Sequence, residues 1–148
     1  MRWIQATADV CMEVGHNLRK EDEIEVHLSH GMSGLNAVIE SYVHSDIIQA
    51  IEGDSGNPVG LTGVVGDQIW LLGTEELTAT KHHRWQLCVY GREWVDYCLE
   101  MVGAPIGNHV YSKNRLSIRW LKHIGFTVEK PVAYGVAGAL FCPFRREP

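Results

Sequence analysis

Asn114-Arg-Leu-Ser-Ile-Arg-Trp-Leu-Lys-His-Ile-Gly-Phe126 spells out one short helix together with both of its ends. The Asn114 side chain can accept a hydrogen bond from an early helical N–H, and Gly125 can take the left-handed conformation that closes a helix. Between them Leu116, Trp120, Leu121 and Ile124 recur at helical spacing, while Arg115, Arg119 and Lys122 can point to water. The spacing predicts an amphipathic helix docked on a larger core.

Working outward from this helix, Asn108–Tyr111 predicts a short strand before it, and Gly103-Ala-Pro105 ends a long helix over Lys81–Met101 that Thr80 can cap. Trp85, Leu87, Cys88, Trp94, Val95, Cys98 and Leu99 give that helix an apolar stripe. Trp70, Trp85, Trp94 and Trp120 read as core aromatics rather than as a stacking platform. Further back, strand-period residues broken by the turns Asp54-Ser-Gly-Asn57 and Gly66-Asp67 predict three successive antiparallel strands, Ile47–Glu52, Pro58–Val65 and Gln68–Gly73. A strand over Trp3–Ala6 opens the chain, and Thr7-Ala-Asp9 starts a helix that runs to about Leu18. A second helix covers Gly34–Val43. Between these two helices, Arg19–Glu25 carries two basic and four acidic side chains, the pattern of a solvated connection or an exposed helical turn. After Phe126, strands over about Thr127–Tyr134 and Leu140–Phe144 finish the chain. The resulting order, β-α-α-β-β-β-α-β-α-β-β, predicts one α/β domain over residues 1–148, with a mixed central sheet of about seven strands flanked by helices.

A chain of 148 residues can bury a substantial core without metal or disulfide staples. Its 45% hydrophobic and 21% charged residues are those of a globular protein rather than a disordered one. No apolar run approaches membrane-spanning length, and Met1–Ala6 lacks the apolar centre of a signal peptide, so the expected compartment is a cytoplasm. A net charge of −5 argues against nucleic acid and anionic membranes as partners, because both demand clustered positive charge. Cys11, Cys88, Cys98 and Cys142 form no Cys-x-x-Cys pair and are expected to be reduced and mostly buried. His27 and His30 could share a helix face, yet no third ligand follows at metal-binding spacing, and no metal is expected.

The pattern Asn114, Ser117, Gly125-Phe126 resembles the fourth helix of the GCN5-related N-acetyltransferase (GNAT) superfamily, and the order of elements matches the GNAT arrangement along the whole length. The runs Pro58–Asp67 and Ile69–Leu77, then His83, Asn114, Ile118–Lys122 and Gly125-Phe126, are similar to a GNAT-like group encoded by tailed bacteriophages, which includes small internal virion proteins of short-tailed phages. The resemblance implies an N-acyltransferase that moves acetyl from acetyl-CoA to an amine in the host cytoplasm. It equally implies a non-catalytic relative that acts in virion assembly or binds a phage or host protein.

In that family a loop after the fourth strand carries two spaced glycines, whose backbone N–H groups and the following helix N-terminus hold the cofactor pyrophosphate. Here Leu72-Gly73-Thr74 ends the strand and Thr78-Ala-Thr-Lys-His-His83 follows, without either glycine. By position, the resemblance implies Leu72, Gly73, Thr78, Thr80, Lys81, His83, Arg84, Asn114 and Ser117 as cofactor contacts. Two readings of Thr78–Arg84 are open: hydroxyls, positive side chains and the helix dipole hold phosphate by another geometry, or Thr80 simply caps a solvated first turn. The family's acid, a Tyr four positions before the Gly of Gly-Phe, is replaced here by Leu121, and Tyr111 is the available substitute. Glu75, Glu76, His82 and His83 are candidates for the base, with His109 the better placed histidine on a strand expected to line the cleft. Each also has an ordinary structural reading, as a loop carboxylate, a first-turn histidine, a half-buried strand tyrosine or a strand histidine bonded to backbone.

Overall fold

In a computed structural model that describes every residue from Met1 to Pro148, the chain runs β1 (Arg2–Ile4), α1 (Ala8–His16), α2 (Lys20–His30), α3 (Gly34–His44), β2 (Ile47–Glu52), β3 (Pro58–Val65) and β4 (Gln68–Gly73). A 3-10 turn (Glu75–Thr78) leads to α4 (Lys81–Val102), β5 (Ile106–Tyr111), α5 (Arg115–His123), β6 (Thr127–Val128), β7 (Val132–Tyr134) and β8 (Ala139–Arg146). The caps read from sequence, Thr7, Thr80 and Asn114, accept from Val10, His83 and Ser117 N–H, and Ser33 adds a fourth by accepting from Asn36 N–H, so each of these helix starts recovers one orphan donor. Gly31 and Gly103 close α2 and α4 at φ 68°, a conformation that costs a Cβ-bearing residue more.

The strands form one sheet in the order β1-β2-β3-β4-β5-β8-β6, with β7 also on β8. All pairings are antiparallel except β4 with β5. One face carries α1 and α3, whose Cys11, Val14, Ala37 and Val38 pack on Ala50, Leu61 and Leu72. The other carries α4 and α5, whose Val95, Cys98, Leu99, Leu121 and Ile124 pack on Val64, Ile69, Ile106, Val110, Cys142 and Phe144. Three cysteines are buried and Cys88 is half-buried, all of them unpaired.

Four expectations need correction. The sheet has eight strands, because the stretch expected as one strand over Thr127–Tyr134 splits into β6 and β7 around Pro131, which has no N–H for a ladder. Trp85, expected in the core, is 61% exposed and stacks on His82 with ring centroids 6.1 Å apart. Leu116, expected on the packed face of α5, is exposed. Most consequential, Arg19–Glu25 is the helical turn of its two readings, but a partly buried one rather than a solvated one. Glu21, Asp22 and Glu23 fill the first turn of α2, where the helix dipole favours them, and Arg19 and Asp22 are only 6% and 2% exposed.

A buried hydroxyl joins the sheet to α4. Thr62, 3% exposed, donates to the Trp70 carbonyl (2.7 Å) and accepts from the Trp94 indole N–H (2.9 Å). Replacing it by Val keeps the volume and removes the acceptor. Thr62→Val is expected to cost about 1–3 kcal/mol in urea unfolding, and Thr62→Ser is expected to recover most of it. Equal stability of the Val variant and the wild type would refute the role of this hydroxyl.

Candidate functional site

The parallel pair β4–β5 is joined at one register position, Gln68 opposite Gly107. Gly107 N–H donates to the Asp67 carbonyl (3.1 Å), which opens a parallel ladder whose next rung would run from His109 N–H to the Ile69 carbonyl. The Asn108 side chain intercepts that rung. Its Nδ2 donates to the Ile69 carbonyl (3.0 Å) and its Oδ1 accepts His109 N–H (2.9 Å). The strands part from there on. Thr74 N–H bonds the Val59 carbonyl on β3, so alternation turns Leu72 toward β3 and Leu71 and Gly73 toward β5. Leu71 therefore presents an N–H and a C=O to the gap with no ladder partner on the β5 side. A cavity of about 610 Å³ occupies the gap, walled by both helical layers: Glu25 and Met32 on one side, Leu87, Ser117 and Trp120 on the other.

Helix α2 spans the diverging strand ends. An isolated bridge pairs Leu18 with Thr74, and Arg19 N–H donates to the Gly73 carbonyl (2.9 Å). Asp22 Oδ2 accepts Gly73 N–H (2.8 Å) at the end of β4. Glu25 Oε1 accepts Tyr111 N–H (3.1 Å) at the end of β5, together with the Asn114 amide (2.9 Å). The Arg19 guanidinium crosses between the loop after β4 and α5, donating weakly to Thr78 Oγ1 (3.5 Å) and Ser117 Oγ (3.3 Å). Its Nε lies 3.0 Å from Asp22 Oδ1 but off the N–H direction, so the pair is an ionic contact rather than a hydrogen bond there. Burial pushes the Asp22 carboxyl upward against the pull of Arg19. Burial also pushes Glu25 up to about 7, against the hydrogen bond from Asn114.

The residues singled out from sequence separate into two groups. In the cavity wall are His109, Ser117 and Leu72, with Leu72 also part of the core against α1 and α3. The His109 ring stacks on Tyr134 (3.9 Å, 6°), its Nδ1 has no partner, and burial lowers its pKa, leaving a neutral imidazole at pH 7. Outside the wall, Glu75 accepts Lys20 N–H (3.2 Å) and so caps α2, while Glu76 holds Ser55. The Tyr111 ring packs on Phe141 (5.4 Å). His83 pairs with Asp54 (3.0 Å), Arg84 donates to the Thr78 carbonyl (2.9 Å), and Gly73 has both backbone groups taken. Asn114 is buried, its amide on Glu25 and its Oδ1 capping α5. Thr80 caps α4, and Lys81 is exposed beside it. No backbone between Gly73 and Lys81 has the left-handed φ that an anion cradle uses, and the N–H groups of Thr80, Lys81 and His82 are the ones left unpaired at the start of α4.

Sequence reasoning missed Arg19, Asp22, Glu25 and Leu71. The signal for the first three was present: Arg-x-x-Asp-x-x-Glu places them on one helical face. Leu71 could not be found, because its role comes from the parting of the strands. Linkage gives a test of Glu25. A carboxyl raised from 4.5 to about 7 leaves the folded chain holding more protons than the unfolded one between those pH values. Its contribution to stability is then full below about pH 4.5 and lost as pH rises through about 7, by about 3 kcal/mol. Glu25→Gln is expected to remove this fall, so that its urea stability gains on the wild type across that window; parallel curves would mean that Glu25 ionises as it does in water.

No protein-family model matches the sequence, and no curated protein matches it. Solved structures do match. A spermidine N-acetyltransferase from Vibrio cholerae, in complex with CoA and spermine, superposes with a TM-score of 0.67 at 11% identity, over 99% of this chain and 94% of that one. The ribosomal-protein-S5-alanine acetyltransferase from Vibrio fischeri gives 0.63 at 12% identity, over 98% and 91%. An acetyltransferase from Agrobacterium tumefaciens gives 0.57 at 14%, over 76% and 72%. At these identities the likeness is one of architecture: the chain has the GNAT fold of known N-acetyltransferases.

Proposed function

We propose that this chain is a GNAT-type N-acyltransferase that transfers acetyl from acetyl-CoA to an amine, in the setting of a tailed phage that the sequence runs around Pro58–Phe126 suggest. The observation that carries the reading is the parting of β4 and β5, with Leu71 lacking a ladder partner on β5 beside a cavity walled from both faces of the sheet. An extended amide arm can take both Leu71 groups as an added strand would. Acetyl-CoA supplies an activated acetyl thioester when bound. Its phosphates find no glycine cradle here; the unpaired N–H groups of Thr80, Lys81 and His82, with the Lys81 side chain, are what this chain offers them at the start of a 22-residue helix. Among the groups named from sequence, His109 is the one in the cavity wall with a nitrogen lacking a partner.

One observation favours a second reading, that of a non-catalytic protein of virion assembly or partner binding. The Arg19 guanidinium bridges Thr78 to Ser117 and Asp22 takes the last β4 N–H, so side chains of the protein itself fill positions that a cofactor arm would pass.

Isothermal titration with acetyl-CoA and CoA at millimolar concentration separates the two readings. Binding heat is expected, and Asn108→Ala, which lets the His109-to-Ile69 rung form directly and zips the strands together, is expected to weaken binding at least about tenfold, the loss of ~1.4 kcal/mol. No heat with the wild type overturns the acyltransferase reading in favour of the second.

A further inference from the structure

Glu25 reaches the cleft from α2 with its two oxygens in different states. Oε1 is held by Tyr111 N–H (3.1 Å) and the Asn114 amide (2.9 Å), which fixes the carboxyl in place. Oε2 has no partner and is not among the fully buried unpaired atoms, and the residue lines the cavity. A carboxylate with one oxygen anchored by two donors and the other open to a cavity is a positioned proton acceptor. Resting on the acyltransferase reading, we propose that Glu25 is the catalytic base, taking a proton from the ammonium form of the acceptor through Oε2.

The surroundings suit that role. On its own helix face stand Asp22 and Arg19, whose charges oppose each other at 3.0 Å. From β5 come His109 and Tyr111, and from the start of α5 comes the uncharged Asn114. No other cation pairs with Glu25, and burial brings its titration to about 7, the range where a base can both take and release a proton. An ammonium gives one proton to Oε2, and the neutral amine nitrogen forms the C–N bond to the acetyl carbonyl. The C–S bond breaks, and the thiolate takes the second proton of the attacking nitrogen. Glu25 then returns its proton to solvent. The acceptor class is accordingly a primary amine with an apolar stem, since Met32, Tyr134 and Phe141 line the same cavity.

The test follows thiol release from acetyl-CoA in the presence of a mixture of alkyl diamines, spermine and lysine peptides, with acetyl-CoA binding measured in parallel. Glu25→Gln is expected to lower the rate about 10²–10⁴-fold, the usual weight of a general base, with acetyl-CoA affinity within about twofold of wild type. Wild-type rate is expected to rise along a limb centred near pH 7 that the Gln variant lacks and Glu25→Asp partly restores. Carbon-13 NMR of the Glu25 carboxyl is expected to show titration near 7, moved downward by added spermine, a readout independent of turnover. A Gln variant that binds acetyl-CoA and keeps its rate within tenfold, a His109→Ala variant that alone loses the pH limb, or no amine-dependent release from a protein that binds acetyl-CoA each overturns the Glu25 assignment. Absence of acetyl-CoA binding in the wild type instead overturns the reading on which it rests.

Discussion

One carboxamide decides the shape of this molecule. Asn108 stands where β4 and β5 would have exchanged their second rung, satisfies the two backbone groups that the rung would have joined, and so parts the strands there without orphaning either of them. Everything at the cleft depends on that substitution of a side chain for a ladder bond. The lack of a β5 ladder partner for Leu71, the depth of the cavity and the separate attachment of α2 to each strand end follow from strands that are neighbours at Gln68 and Gly107 and diverge afterwards.

Helix α2 closes the wide end of the gap with charge rather than with apolar packing. Asp22 and Glu25 take one strand-end N–H each, which answers the demand that buried backbone donors be paired. The arrangement also explains why a run of charged residues can be structural. Burying a carboxylate is costly in isolation, and backbone donors, Asn114 and Arg19 offset part of that cost, burial still holding both carboxyls above their ordinary range. The same three residues therefore stabilise the closed arrangement and furnish the cleft with its ionisable groups.

Much of the fold could be read from the chain, because its signals are local. Thr80, Asn114 and Gly103 mark helix ends through hydrogen bonds and φ angles that their own neighbours impose, and they stand where expected. The failures share a cause. Arg19–Glu25 looked solvated because charge density was taken as exposure, whereas its partners lie far along the chain at Gly73, Tyr111 and Asn114. Trp85 looked buried because an aromatic on a helix usually is, yet it lies off the face that buries Leu87 and stacks on His82 in the open. Glu75 and Tyr111 were chosen by position after or within a strand, and what each meets, Lys20 N–H for the carboxylate and Phe141 for the ring, depends on tertiary packing that spacing cannot encode. The absence of the glycine cradle was correctly apparent, since a backbone conformation that needs glycine cannot be made without it.

The two ways into the cavity differ in kind. On the side of α5 the obstacle is a single buried guanidinium, held by two long hydrogen bonds to Thr78 and Ser117 and by its ionic contact with Asp22. On the other side stands a helix tied to β4 by a backbone bridge at Leu18 and by Asp22, and to β5 by Glu25. Swinging one side chain is a smaller motion than detaching a packed helix, which belongs to the microsecond-to-millisecond range. The cleft is thus closed by one side chain on one side and by a whole helix on the other, and the two closures yield on different timescales.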